Sequence, residues 1–206
     1  MLEKQWKAIK SGTDIRGVGT ADIPKEPVQL TDAVATAVGK AFAVWLTQNV
    51  PLTMERYTVA LGHDSRISAE RLKKALLEAL LESGINVKDC GLSTTPSMFM
   101  TTVDFGCDAA IEITASHHPF NRNGFKFFTK QGGIDGNQVE EILQLAQDGR
   151  ALTAEERGLV EECDYMNRYA RNLREKICAG VNADDYNRPL RGFHIVVDAG
   201  NGAGGF

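Results

Sequence analysis

Apolar residues along this chain alternate between helical and strand spacing. Apolar positions three and four residues apart are clearest between Ser68, a plausible N-cap, and Gly84, a residue type favoured just past a helix C-terminus. Asn137 and Glu140 resemble a capping box at the start of another helix. The same spacing predicts further helices over 31–50, 96–103, 137–147 and 166–177.

Short apolar runs between these helices predict strands over residues 57–61, 85–92, 109–114, 124–129 and 193–198. Strands that alternate with helices predict an α/β fold, here a three-layer α/β/α sandwich with a mixed, largely parallel sheet. We expect residues 1–157 to form this first domain. Residues 158–206 are expected to form a linker helix and the incomplete beginning of a second similar domain, opened by the strand at 193–198.

Composition places the chain among ordinary globular proteins, with 206 residues, 43% hydrophobic, 24% charged and a net charge of −4. A surface for nucleic acid or for anionic lipid needs a basic face, so we expect neither partner. No apolar run is long enough to span a bilayer and no signal peptide is evident, so a cytoplasmic location is expected. The four cysteines lie far apart and are expected to be packed thiols.

The most informative segment follows the predicted strand at 109–113. It holds Ser116, His117, His118 and, after a short interval, Lys126, on a tight loop between strands. A structural turn does not require so many titratable groups, so this set favours a functional loop. Serine hydrolysis is disfavoured because no glycine stands two residues before or after Ser116, and adjacent histidines lack the spacing of metal ligands. Phosphoryl transfer fits better, because it needs cations and proton carriers around a hydroxyl.

Three other motifs are ambiguous on their own. The stretch Gly12–Gly17 favours a turn with a solvated pair between Asp14 and Arg16, although an arginine aimed at phosphate is the alternative. The segment Gly62–Arg66 indicates a polar loop fixed by an internal ion pair. The segment Gly200–Gly205 satisfies the G-x-G-x-x-G pattern of dinucleotide sites, which is a weak signal alone.

Taken in order, these stretches resemble the α-D-phosphohexomutase superfamily of phosphoglucomutases and phosphomannomutases. The segment Thr114–Pro119, followed by Asn123–Lys126, is similar to the phosphoserine loop of that family. Residues 13–17 and 62–66 are similar to its first two signature loops, and residues 196–204 to the start of its second domain. The last similarity makes the dinucleotide hypothesis the weakest of the alternatives.

The resemblance implies a role for each site residue. Ser116 would carry a phosphoryl group to a hexose monophosphate, form a hexose bisphosphate and recover the other phosphoryl group. The serine phosphate would bind Mg²⁺, so Ser116 is the one family metal ligand expected here. Lys126 would accept or donate the proton of the sugar hydroxyl, and Arg16 and His117 would support the phosphate. His118 stands where the family usually has Asn.

The resemblance also leaves alternatives open. Thr114 slightly favours the phosphoglucomutase and phosphomannomutase branch over phosphoglucosamine mutases, which more often have Ser there. The family's Asp-rich metal loop, sugar-recognition loop and second phosphate loop would lie beyond residue 206, so the chain is expected to be inactive alone and to need its C-terminal domains. A phosphoglucosamine mutase and a non-catalytic module that binds sugar phosphates remain the other hypotheses.

Overall fold

The computed structural model describes residues 1–205. Within them the helices are α1 Lys4–Lys7, α2 Asp32–Asn49, α3 Ala69–Glu82, α4 Thr95–Asp104, α5 Gly136–Gln147 and α6 Tyr165–Val181. The strands are β1 Lys10–Ser11, β2 Asp14–Val18, β3 Thr58–His63, β4 Asn86–Leu92, β5 Ala109–Ile113, β6 Arg122–Thr129, β7 Gly132–Gly133 and β8 Val160–Glu162. A short 3₁₀ turn covers Ala203–Gly205.

The strands form one mixed sheet in the order β1-β2-β6-β5-β3-β4-β8, and β7 pairs with β6. Strands β5, β3, β4 and β8 run parallel to one another. Strand β6 is antiparallel to β5 on one side and to β2 on the other. The mixed, largely parallel sheet predicted from the sequence is confirmed. The loop between β5 and β6 therefore leaves the sheet at the carboxyl ends of the parallel strands.

Helices cover both faces of this sheet. On one face α2, α3 and α5 bury Phe42, Leu76 and Ile142 against the sheet. On the other face α4 and α6 bury Met98 and Tyr165 in a smaller cluster. Because side chains alternate along a strand, the central strands β3, β4 and β5 contribute to both clusters, which produces the three layers.

Several helix ends agree with the sequence. Thr31 caps α2 through its Oγ1, which accepts a hydrogen bond from the Val34 amide at 3.2 Å. Gly84 follows α3 with a φ of +78°, a conformation that favours glycine. Pro51 lies just beyond the end of α2, because proline cannot continue a helix.

Two predicted caps differ from the structure. The capping box of α5 is Asp135 with Gln138, and not Asn137 with Glu140, because the helix begins at Gly136. The Asp135 carboxylate accepts from the amides of Asn137 and Gln138, and the Gln138 side chain accepts from the Asp135 amide. Ser68 stands at the N-cap of α3 but makes no capping hydrogen bond. Its Oγ instead accepts from the Asn123 side chain at 2.9 Å.

The prediction of a turn over Gly12–Gly17 is wrong for most of that segment. Residues 14–18 form strand β2, which pairs antiparallel with β6. The strand was missed because the segment is rich in glycine and polar residues. Strand β2 pairs with β1, just before it in the chain, and with β6, more than a hundred positions away.

The C-terminal part of the chain also departs from the expectation. Strand β8 pairs with β4 in the first sheet, so that sheet extends past residue 157, and the division of the chain into two domains stays a prediction. The strand predicted at 193–198 does not form, because no strand of the described residues lies beside it. Phe193, Val196 and Val197 are consequently 75%, 84% and 82% exposed. Residue 206 lies outside the described residues.

Two further features bear on the expectations from composition. Among residues 1–205, no helix combines the length and the apolar character needed to cross a bilayer. The four cysteines are free thiols, and Cys90, Cys107 and Cys178 are buried.

Candidate active site

Ser116 lies on the exposed loop that connects β5 to β6, as the sequence predicted. Its φ is +56°, which is uncommon for a residue with a side chain and is often found at functional sites. The Ser116 amide donates to Thr114 Oγ1 at 2.9 Å. The Ser116 hydroxyl is 3.4 Å from His117 Nδ1. The hydroxyl is therefore open to solvent and has an imidazole as its neighbour.

Arg66 anchors this loop. Its Nε donates to Asp64 at 3.2 Å, which confirms the internal ion pair expected for residues 62–66. The other four N–H groups donate to backbone carbonyls over distances of 2.7 to 2.9 Å, and these belong to Ser116, His118, Pro119 and Arg122. A guanidinium has five donors, and here each has an acceptor. Arg66 thus holds the backbone of the serine loop to the end of β3.

Asp64 provides a second link between the end of β3 and the serine. Its Oδ2 accepts from the Thr114 hydroxyl at 2.6 Å, and Thr114 Oγ1 in turn accepts from the Ser116 amide. The Arg66 amide donates to the other oxygen, Oδ1, at 3.0 Å. The sequence gave no sign of these contacts, because they join residues about fifty positions apart.

Arg16, Asp14 and Lys126 form a cluster beside the loop. Asp14 Oδ2 accepts from Arg16 at 2.6 Å and from Lys126 Nζ at 2.7 Å. The side chain of Asp14 is only 7% exposed and those of Arg16 and Lys126 are 16% and 19% exposed. The expectation of a solvated pair between Asp14 and Arg16 is therefore wrong: the pair is largely buried, and Asp14 also binds Lys126 on the neighbouring strand β6.

Gly124 brings the Arg16 strand close to the serine loop. In the sheet Gly124 lies opposite Arg16 on β2, and its carbonyl accepts from the Thr114 amide at 3.0 Å. A Cβ at this position would lie 2.3 Å from the carbonyl oxygen of Ile15 and 2.8 Å from that of Thr114. Only glycine fits between the two neighbouring backbones, so the close approach of Arg16 depends on it.

His118 is surrounded by positive charge. The pKa of His118 lies below its ordinary value, first because of desolvation and then because of the charges of Arg16, His117 and Arg66. The His118 amide donates to Ala115 O at 3.1 Å, and its carbonyl accepts from Arg66. The loop thus forms with histidine at this position, and the side chain favours its neutral form.

The structure places Ser116 and His117 together on the loop after β5, and Arg16 and Lys126 on the paired strands β2 and β6. The sequence interpretation missed Asp14 as the shared partner of two cations, and Asp64 and Arg66 as the anchor of the loop. No group of three or more His, Cys, Asp or Glu side chains within residues 1–205 is arranged to hold a metal ion.

Comparison with known proteins decides the family. A model described as "Phosphoglucomutase/phosphomannomutase, alpha/beta/alpha domain I" matches residues 13–152. The chain belongs to the α-D-phosphohexomutase superfamily. The matched residues include the serine loop, Arg16, Arg66 and Lys126.

Relatives in this superfamily carry three different names. The chain is 34% identical to a phosphoglucosamine mutase of Corynebacterium jeikeium, over 93% of the chain and 41% of the relative. It is 30% identical to a phosphomannomutase of Escherichia coli, over 86% of the chain and 36% of the relative. It is 31% identical to a phosphoglucomutase of Neisseria meningitidis, over 85% of the chain and 35% of the relative. These similar identities do not separate the three substrate classes.

A solved structure gives the same result. A phosphoglucomutase/phosphomannomutase family protein of Burkholderia thailandensis superposes with a TM-score of 0.68 at 28% identity, over 86% of this chain and 36% of that one. The chain spans less than half the length of the phosphohexomutases it matches and corresponds to the N-terminal part of the family fold.

Proposed function

We propose that this chain is the phosphoserine domain of a phosphohexomutase that interconverts hexose 1-phosphate and hexose 6-phosphate. The observation that supports this most directly is the exposed Ser116 hydroxyl, on a loop anchored by Arg66, with His117 at 3.4 Å. Family membership supports the same reaction class. The proposed small-molecule partners are hexose phosphates and a hexose bisphosphate, and the proposed structural partners are the C-terminal domains of the same polypeptide. The proposal includes a cytoplasmic location and no role for nucleic acid or membrane.

In the proposed reaction the Ser116 phosphoryl group moves to a sugar hydroxyl. The bond between phosphorus and Ser116 Oγ breaks, a bond from phosphorus to the sugar oxygen forms, and the hydroxyl proton passes to the protein. His117, next to Oγ, is placed to return a proton to the serine oxygen. After the sugar bisphosphate reorients, the reverse transfer restores the phosphoserine. Arg16 supports the transferring phosphoryl group through its charge.

Lys126 is the proposed proton carrier for the sugar hydroxyl. Its Nζ donates to Asp14 at 2.7 Å, and an ammonium at this position can donate a proton and stabilise a phosphoryl group. To accept a proton, Lys126 must first lose its own, so the negative charge close to it decides how well it serves as a base. Asp14 is thus a positioning residue for both Lys126 and Arg16.

Magnesium is part of the proposal only for the whole mutase. Mg²⁺ prefers a near-octahedral set of oxygen ligands, and the described residues offer no such set. Asp14 is already bound to two cationic side chains, and Asp64 to Thr114 and Arg66. The described residues alone therefore do not fit a magnesium site. When phosphorylated, Ser116 would supply one ligand, and the metal would neutralise charge on the phosphoryl group with ligands from elsewhere.

Phosphosite mapping tests the proposed function. The protein is incubated with glucose 1,6-bisphosphate, and intact mass and peptide mapping follow. We expect one phosphoryl group on Ser116, none in Ser116→Ala, and unchanged labelling in Ser65→Ala, which removes an exposed serine from the neighbouring loop. Stabilisation of the protein by hexose phosphates that persists in Ser116→Ala, with no covalent phosphate in the wild type, would instead support a non-catalytic binding module.

The same experiment with glucosamine 1,6-bisphosphate addresses the second substrate class. The 34% identity to a phosphoglucosamine mutase is the observation that keeps this class open. Faster labelling of Ser116 by the amino sugar would favour the hexosamine reaction. We further expect the 206-residue chain alone to show no turnover of glucose 1-phosphate to glucose 6-phosphate, because the second phosphate and the sugar need residues from other domains.

A further inference from the structure

Glu112 is a buried carboxyl group that the proposed reaction does not use. It lies in β5, and only 1% of the residue is exposed. Ser93 donates to its Oε2 at 2.7 Å. Its Oε1 is buried and has no hydrogen-bond partner among the described residues. A carboxylate with one unpaired buried oxygen is costly, whereas the neutral acid is much less so.

The register of the sheet places Glu112 beside the proposed proton carrier. Glu112 lies directly opposite Lys126 on β6 and opposite Gly62 on β3. Side chains directly opposite each other on adjacent antiparallel strands have Cβ atoms about 5 Å apart, which is within reach of a lysine ammonium. On its other sides Glu112 faces the loop after β4 and helix α4, where Ser93 and Met98 lie so close to Gly62 that a Cβ there would clash with both.

The charged groups that act on Glu112 are Lys126 on β6 and Asp64 on the loop after β3. Burial raises the pKa of Glu112 to about 8, while the Ser93 hydrogen bond lowers it, Asp64 raises it and Lys126 lowers it. The dominant cause is desolvation, which agrees with the unpaired oxygen. At neutral pH the carboxyl group is thus largely protonated.

The hydrogen bonding of Lys126 agrees with a neutral Glu112. The ammonium bonds to Asp14 at 2.7 Å on one side, and no hydrogen bond links it to Glu112 on the other. Two ionised carboxylates flanking one ammonium would both attract it. Glu112 Oε1 stays unpaired, so the ammonium donates no hydrogen bond to it.

We propose that Glu112 is a positioning residue for Lys126: as a neutral acid it leaves Asp14 as the single carboxylate partner of the ammonium, and its ionisation in alkaline solution gives the ammonium a second anionic neighbour. The second anion raises the proton affinity of Lys126 and moves the side chain from Asp14 towards β5. The consequence for catalysis rests on the proposed function, since a lysine that holds its proton more tightly is a poorer base. The titration itself does not depend on that function.

Side-chain NMR of the 206-residue chain tests the proposal. The protein is labelled uniformly with carbon and nitrogen isotopes, and the Glu112 Cδ and Lys126 Cε signals are assigned through their own backbone resonances. We expect Glu112 to titrate with a midpoint near pH 8, and the Lys126 Cε signal to show a step at the same pH. The step is absent in Glu112→Gln and retained in Glu55→Gln, which neutralises an exposed glutamate.

Two results would overturn the proposal. One is a Glu112 midpoint below pH 6 in the wild type, which needs no variant to fold. The other is a Lys126 step that persists in Glu112→Gln. In the complete mutase, the alkaline loss of kcat is expected to shift to higher pH in Glu112→Gln, with KM for the hexose phosphate unchanged. If Ser116 is never phosphorylated while the two titrations still coincide, the proposed function fails and the link between Glu112 and Lys126 stands.

Discussion

Replacing Arg66 tests whether one guanidinium holds the serine loop. Arg66 donates to four backbone carbonyls between Ser116 and Arg122, and its side chain is 12% exposed. Arg66→Ala removes all four bonds and the ion pair with Asp64. Arg66→Lys keeps the charge but offers a compact ammonium that cannot reproduce the planar fork.

The magnitude follows from the number of bonds. A hydrogen bond contributes a net stability of about 1 kcal/mol, and the freed carbonyls of a surface loop can turn to water. Four such bonds give a loss of about 4 kcal/mol in the free energy of unfolding for Arg66→Ala. The lysine can satisfy some of these carbonyls, so a loss of about 2 kcal/mol is expected for Arg66→Lys.

Two assays separate the loop from the rest of the fold. Urea unfolding measures global stability, and hydrogen exchange reports the amides of Ser116 and His118, which are hydrogen-bonded within the loop. Arg71→Lys is the matched control, because Arg71 also donates to two backbone carbonyls, at 2.8 Å, but to none between Ser116 and Arg122. We expect faster exchange at both loop amides in Arg66→Lys only. Unchanged exchange in Arg66→Lys, or equal acceleration in Arg71→Lys, would refute the anchoring role.

Three further predictions concern stability measured by urea unfolding. Gly124→Ala is expected to lower the free energy of unfolding by about 3 kcal/mol, because its methyl group would lie 2.3 Å from a backbone carbonyl oxygen of β2. At Gly133 the nearest atom would be 3.8 Å from the methyl group, so Gly133→Ala should lower the free energy far less, and equal losses would contradict this. The pKa of Glu112 is raised to about 8 in the folded protein, so as pH rises this carboxyl group ionises first in the unfolded chain. The free energy of unfolding of the wild type should therefore fall by about 1.4 kcal/mol per pH unit between pH 4.5 and 8, relative to Glu112→Gln. A difference independent of pH would be the contrary result. Tyr165→Phe removes the hydroxyl that donates to Asp104 at 2.6 Å and should cost about 2 kcal/mol, and no measurable loss would show that water replaces the bond.

Local patterns predicted the parts of this structure that local physics controls. Helix α3 follows from the spacing of its apolar residues and from Gly84 at its end, because both act within a few turns. The position of Ser116 between two strands follows equally from a short apolar run that ends in polar residues. These features required no knowledge of which segments meet in space.

Features created by pairing of distant segments could not be predicted in this way. Asp14 binds both Arg16 and Lys126 because β2 lies beside β6. No pattern within residues 11–19 predicts that β6 is the neighbouring strand. The four bonds of Arg66 likewise join the end of β3 to a loop about fifty residues later. The segment 193–198 illustrates the converse, since its apolar composition suits a strand but no strand of the described residues pairs with it.

That unpaired segment has a practical consequence for work with this chain. Phe193 and the run Ile195–Val197 present apolar side chains outside any helix or strand, with exposures of 58% or more. Extended apolar segments with free amide and carbonyl groups are templates for intermolecular β-pairing. Concentrated solutions of the 206-residue chain should therefore self-associate through this segment, and a charged residue in place of Val196 should keep the protein monodisperse in light scattering.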